Sequence, residues 1–111
     1  MLCEEAGTAM AHRYMLALEE PRPTVITRAF SGRPARGIIN RFHQHVSQVQ
    51  DRCAPFPALN DMTRDIRRAA ANAGDPEALS LWAGQAYPLA RDMPAADLMA
   101  VLLDEARWFE M

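Results

Sequence analysis

The stretch Thr24-Val25-Ile26-Thr27-Arg28-Ala29-Phe30-Ser31-Gly32-Arg33-Pro34-Ala35-Arg36-Gly37 decides how the rest of the chain is read. Thr24 to Thr27 is β-branched throughout. Such side chains are stiff at χ1 and pack well on a pleated surface, so the segment predicts a short strand that Arg28-Ala29-Phe30 continues. From Ser31 to Gly37, two glycines and a proline interrupt any ladder or helix and predict an irregular loop. The chain then has one strand and no visible partner for it, although its backbone N–H and C=O groups require one.

The flanks read as helices. Upstream, Thr8 to Glu20 is free of Gly and Pro, and Met10, Tyr14 and Leu18 recur at i, i+4 and i+8 as one helical face until Pro21-Arg22-Pro23 ends it. Downstream, Ile38 to Val49 carries Ile38, Phe42, Val46 and Val49 on one stripe, and Cys53-Ala54-Pro55-Phe56-Pro57 is a connector. From Leu59 onwards, Met62, Ile66, Ala69 and Ala73 form a narrow apolar seam with Asp61, Arg64, Asp65 and Arg68 on other faces. In Ala73-Gly74-Asp75-Pro76-Glu77, Gly74 ends one helix, Asp75 caps the next, Pro76 opens its first turn and Glu77 sits at its positive end. That next helix should be short, running to about Ala83 with Gly84 closing it. After a connection at Leu89–Met93, Pro94 opens a last helix with Leu98, Leu102 and Phe109 on one flank. The pattern predicts a mostly α chain of the α+β class with one short strand.

Half of the 111 residues are hydrophobic, which suits a compact domain or a piece of one. A net charge of −2 supplies no positive field for nucleic acid or an anionic membrane. All twelve basic side chains are arginine, so there is no lysine for a Schiff base. Cys3 and Cys53 show no CxxC spacing, and a reduced, cytoplasmic setting is the default expectation. No apolar run approaches the roughly 18 to 20 residues of a bilayer span.

Few residues recommend themselves for chemistry. His43 and His45 lie two apart, about 200° from one another on a helix, and cannot share a metal ion. His12 has no carboxylate or nucleophile at a motif spacing and reads as a surface residue. The adjacent acids Glu4-Glu5, Glu19-Glu20 and Asp104-Glu105 diverge on a helix and read as solvated faces. Arg33, Arg36, Gly32 and Gly37 could cradle an anion, but a structural turn whose arginines pair with local acids is the preferred account. Gly84-Gln85 is either a plain helix stop or a turn whose amide bonds a polar ring edge. No catalytic triad, Walker loop or GxGxxG fingerprint is present.

Taken as one string, Thr24 to Ile38 followed by Asn40-Arg41-Phe42 resembles the stretch after the barrel strands in nitronate monooxygenases, the 2-nitropropane dioxygenase family. Pro55-Phe56-Pro57, Ala71 to Glu77 and Leu81-Trp82-Ala83-Gly84-Gln85 follow in that family's order and spacing, so the resemblance runs from Glu5-Ala6-Gly7 over nearly the whole chain. It implies a C-terminal fragment: the helical cover domain and closing helices of a TIM-barrel flavoprotein, residues 1–111, without a complete barrel. The strand's partner would then lie in that barrel. The implied reaction is FMN-dependent oxidation of an alkyl nitronate to a carbonyl compound and nitrite, with FMN doing the chemistry. The family's catalytic histidine and phosphate loops lie upstream of what this chain matches, so no catalytic residue carries over and the chain alone should be inactive. Gly84 and Gln85 match the family's Ala-Gly-Gln turn and are implied to reach the flavin. Ala86-Tyr87-Pro88 departs from the small residues that often follow that turn. Two other readings stand beside this one: a fragment of a related flavin-dependent enoyl reductase, and a non-catalytic helical interaction module. In either fragment or module, an exposed barrel-facing surface would favour self-association.

Overall fold

The computed structural model describes residues 2–107. Its strand β1, Thr24–Thr27, is not alone. It pairs antiparallel with β2, Ala35–Ile38, in a register that sets Thr24 opposite Ile38 and Thr27 opposite Ala35. The second half of the expected loop is therefore a strand, and the expected single strand is half of a hairpin. The glycine that argued against a ladder explains it instead. A Cβ on Gly37 would lie 2.9 Å from the Leu81 carbonyl oxygen and 3.2 Å from Trp82 Cε3, so glycine here lets a third backbone come close. Ile38 N–H donates to Leu81 O at 2.8 Å, Ala83 N–H donates to Arg36 O at 3.2 Å, and Gly37 bridges Trp82 antiparallel.

That third segment overturns the short helix expected from Asp75 to Ala83. Asp75 does cap, accepting Glu77 N–H at 2.9 Å, but the turn it starts is a single 3-10 turn at Pro76–Ala78. Beyond it β2 and Asn40 take up the backbone groups that a helix would have bonded internally. Asn40 donates to Pro76 O at 3.0 Å and Leu79 O at 2.7 Å, while its Oδ1 accepts His43 N–H at 3.0 Å. Asn40 is thereby the N-cap of α2, Arg41–Ser47, which is shorter than the expected Ile38–Val49 because Ile38 belongs to β2. Glu77 takes another free N–H of the same helix end, that of Arg41 at 2.8 Å, where its charge also suits the helix dipole.

The remaining helices are α1, Met10–Leu16, α3, Ala58–Ala73, and α4, Ala95–Ala106. Their faces are distributed unexpectedly. On α1 the buried residues are Ala11, Met15 and Leu16, whereas Met10 and Tyr14 of the expected stripe are 78% and 67% exposed. On α3 Leu59, Thr63 and Ala70 pack inward, and Met62 of the expected seam is 66% exposed. Thr63 fits the interior because its hydroxyl donates to Phe30 O at 2.6 Å. No residue of α4 is buried, although it carries Leu98, Met99, Val101, Leu102 and Leu103. Phe109, expected on its flank, lies outside the described residues.

The core is small, with Met15 and Leu81 at its centre and Leu16, Ile38, Ala70, Leu79 and Tyr87 around them. The molecule measures 55 × 29 × 27 Å with a radius of gyration of 16.2 Å, against about 13 Å for a closed globule of this length. Its accessible surface is 7631 Å² for 12.4 kDa. A folded monomer of that mass exposes about 6,100 Å², so about 1,500 Å² is in excess.

Candidate functional site

Gly84 and Gln85 sit on an exposed turn that leaves the edge of this small sheet. The turn is built on Trp82. Its indole meets Phe30 edge-on at 5.4 Å between centroids, and Phe30 in turn stacks on Phe42 at 4.8 Å. Gly37 gives the other wall of the Trp82 site. On the far side of the turn, Tyr87 N–H donates to Gly84 O at 3.1 Å and the Tyr87 hydroxyl donates to Arg22 O at 2.6 Å. Burial pushes the Tyr87 phenol above its ordinary pKa, so it stays a neutral donor.

The turn is thus held at both ends while its tip is open. A Cβ on Gly84 would meet nothing within 4 Å. Neither internal packing nor a left-handed backbone demands glycine there, since the positive-φ glycines are Gly7, Gly32 and Gly74.

His12, which reads from sequence as a surface residue, is partly buried beneath this turn, with Nε2 3.0 Å from Trp82 O. A carbonyl only accepts, so Nε2 carries the hydrogen. Burial holds His12 below its usual pKa against the opposing pull of that carbonyl. No sequence spacing links positions 12 and 82; the contact exists only in the fold.

The other candidates are used elsewhere. Arg33 lies over the Phe56 ring at 4.3 Å, and Arg36 donates to Thr24 Oγ1 at 3.0 Å across the hairpin. Gly32, at φ +92°, faces the Pro55–Phe56 backbone so closely that a Cβ would stand 2.8 Å from Pro55 C. The segment is thus packed into the fold, but Arg33 and Arg36 meet a ring and a hydroxyl in place of the expected local acids, and Ala35 to Gly37 belong to β2. His43 faces the hairpin, its Nδ1 3.0 Å from both Thr27 Oγ1 and Ser47 Oγ, and burial lowers its pKa; His45 is exposed. A hollow of about 470 Å³ at Arg22, Asn40, Arg41, Gln44 and Glu77 is polar, but Arg22 and Glu77 pair with each other in it at 2.9 Å. A second, apolar hollow of about 300 Å³ opens between Leu2, Leu89, Leu98 and Leu102. No helix of the described residues is long and apolar enough to cross a membrane.

Comparison with known proteins agrees with this architecture. The nitronate monooxygenase family model matches residues 1–105. Probable nitronate monooxygenases of Staphylococcus aureus, from strain Newman among others, are 45% identical over 82 residues, which is 74% of this chain and 23% of theirs. The crystal structure of nitroalkane oxidase from Streptomyces ansochromogenes superposes with a TM-score of 0.86 at 38% identity over 99% of this chain and 32% of that one. The chain therefore spans less than a quarter of those curated relatives and about a third of that oxidase. A match that begins at the first residue and continues through hairpin, edge segment and final helix leaves one conclusion: the chain belongs to the nitronate monooxygenase family.

Proposed function

We propose that this chain is the C-terminal cover segment of an FMN-dependent nitronate monooxygenase, oxidising alkyl nitronates to carbonyl compounds and nitrite together with a barrel outside these residues, and inactive without it. The observation that carries the reading is the likeness to nitroalkane oxidase over 99% of this chain and only 32% of that one. The excess surface supports it, because about 1,500 Å² is more than one side of a standard interface, about 800 Å².

The residues present fit one part of FMN. Gly84 leaves room for a flat ring to approach the turn, and the Gln85 amide offers a donor and an acceptor to a polar ring edge. They do not fit its phosphate: Arg33 and Arg36 are engaged at Phe56 and Thr24, and the Gly32 backbone is packed against Pro55–Phe56. The flavin, when bound, accepts the electrons that leave the nitronate. This chain's share is to close over the site, exclude water and present Gly84 and Gln85.

The test replaces the matching segment of a Staphylococcus aureus relative with residues 1–105 and measures FMN retention and nitrite release. The chimera should keep both, and its Gln85→Ala variant should bind FMN about three- to tenfold more weakly. A chimera that folds but neither holds FMN nor releases nitrite would overturn the reading, as would nitrite release by the isolated chain given FMN and a nitronate.

A further inference from the structure

The edge segment that launches the turn has an outward side that the sheet cannot serve. Leu81 O and Ala83 N–H both point towards β2, where Ile38 and Arg36 take them. Backbone groups alternate in direction along an extended chain, so the carbonyl of Trp82 between them points away from β2. That carbonyl would be an unpaired acceptor in a partly buried place, and its partner is the imidazole of His12, 3.0 Å away and 70 residues earlier in the chain. Trp82 C=O and Ala83 N–H belong to one peptide group. A donor on the oxygen polarises that group and strengthens what its hydrogen does, so the bond from His12 reinforces the Ala83 N–H bond to Arg36 O on the opposite side.

We propose that His12 is a positioning residue for the Gly84–Gln85 turn: its Nε2–H clamps the outer edge of the Leu81–Ala83 segment to α1, so that the turn leaves the sheet in one direction. This rests on the reading that the turn meets the flavin. It adds the residue that aims it. Gln85 is exposed on the turn, whose far end is held by Tyr87 through its N–H on Gly84 O and its hydroxyl on Arg22 O, so the near end takes its direction from the two residues before Gly84. The anchoring side chain comes from α1, whose Ala11, Met15 and Leu16 are fixed in the core. Ring and turn thus share one rigid base.

The experiment compares amide hydrogen exchange in the full chain with His12 intact, His12→Ala and His12→Gln, whose side-chain amide places an N–H near the position of imidazole Nε2. In His12→Ala the amides of Ala83 and Tyr87 should exchange about tenfold faster relative to those of α3, and His12→Gln should recover most of that protection. Loss of protection spread equally over α3, or no recovery with glutamine, would assign His12 a general packing role and overturn the proposal. Should His12→Ala fail to fold, the unsubstituted chain decides: a through-hydrogen-bond coupling between His12 Nε2 and the Trp82 carbonyl carbon is expected, and its absence refutes the clamp. No flavin enters these measurements. If the clamp holds while Gln85→Ala leaves FMN affinity unchanged in the chimera, it is the flavin reading of the turn that falls.

Discussion

His12 and His43 are both held below the ordinary imidazole pKa of 6.5, in each case first by burial. A base whose folded pKa is depressed binds fewer protons folded than unfolded, so stability rises with pH through that region. The contribution is complete above the unfolded value and is lost as pH falls through the folded one. The urea midpoint of the chain should therefore drop between about pH 7.5 and about pH 5, by less in His12→Gln, and by least in the His12→Gln, His43→Gln double variant. Glu77, whose pKa is lowered from 4.5, adds its own loss only at more acid pH, so it does not blur the window. Burial alone would raise that carboxyl; the N–H of Arg41 and the guanidinium of Arg22 more than offset it. An unchanged pH slope after both histidines are replaced would show that neither is shielded in solution.

At the scale of elements, Asn40 is the joint between α2 and the extended segment after Pro76. Its amide fills both roles, donor to Pro76 O and Leu79 O and acceptor from His43 N–H. Asn40→Asp keeps a good N-cap but turns a buried carboxylate towards two carbonyl oxygens. It should cost about 3 kcal/mol in denaturant unfolding, more than Asn40→Ser, whereas equal losses would mean that capping alone matters. This joint also marks the limit of what local sequence conveys. The β-branched run Thr24–Thr27, the stop at Gly74 and the cap at Asp75 are dictated by neighbours in the chain and were legible there. Strand β2 was not, because Gly37 breaks a ladder by propensity and is demanded only by the approach of Leu81 and Trp82, more than forty residues away. The same holds for His12, whose partner is a backbone carbonyl, an acceptor that every residue carries and that no motif can announce. The helix faces misled for a different reason. Periodicity finds a stripe of apolar residues, and on α3 that stripe is real but points outward, while on α1 Met10 and Tyr14 point outward and Leu18, beyond the helix end, packs against the core. For the proposed site, only Gly84 and Gln85 could be put forward, and only through likeness to a family.

For the molecule as a whole, Met10 and Tyr14 on α1, the outward stripe on α3, Leu89, and an α4 with nothing buried make a large apolar exterior on a chain of net charge −2. Exposed surface of that kind favours association with itself when its proper cover is missing. Light scattering on the purified chain should show species larger than 12.4 kDa whose proportion rises with concentration. A strict monomer with a cooperative unfolding transition would instead mean that these faces are content in water. Helix α4 keeps Asp97, Asp104 and Glu105 on one side and turns a broad apolar face the other way, and a helix of that kind ordinarily lays that face against a neighbour. Its Leu98–Leu103 run is the kind of segment that chaperones hold and proteases remove when it stays uncovered. The lifetime of this polypeptide in a cell would then be set less by its own folding energy than by how quickly that helix is sheltered.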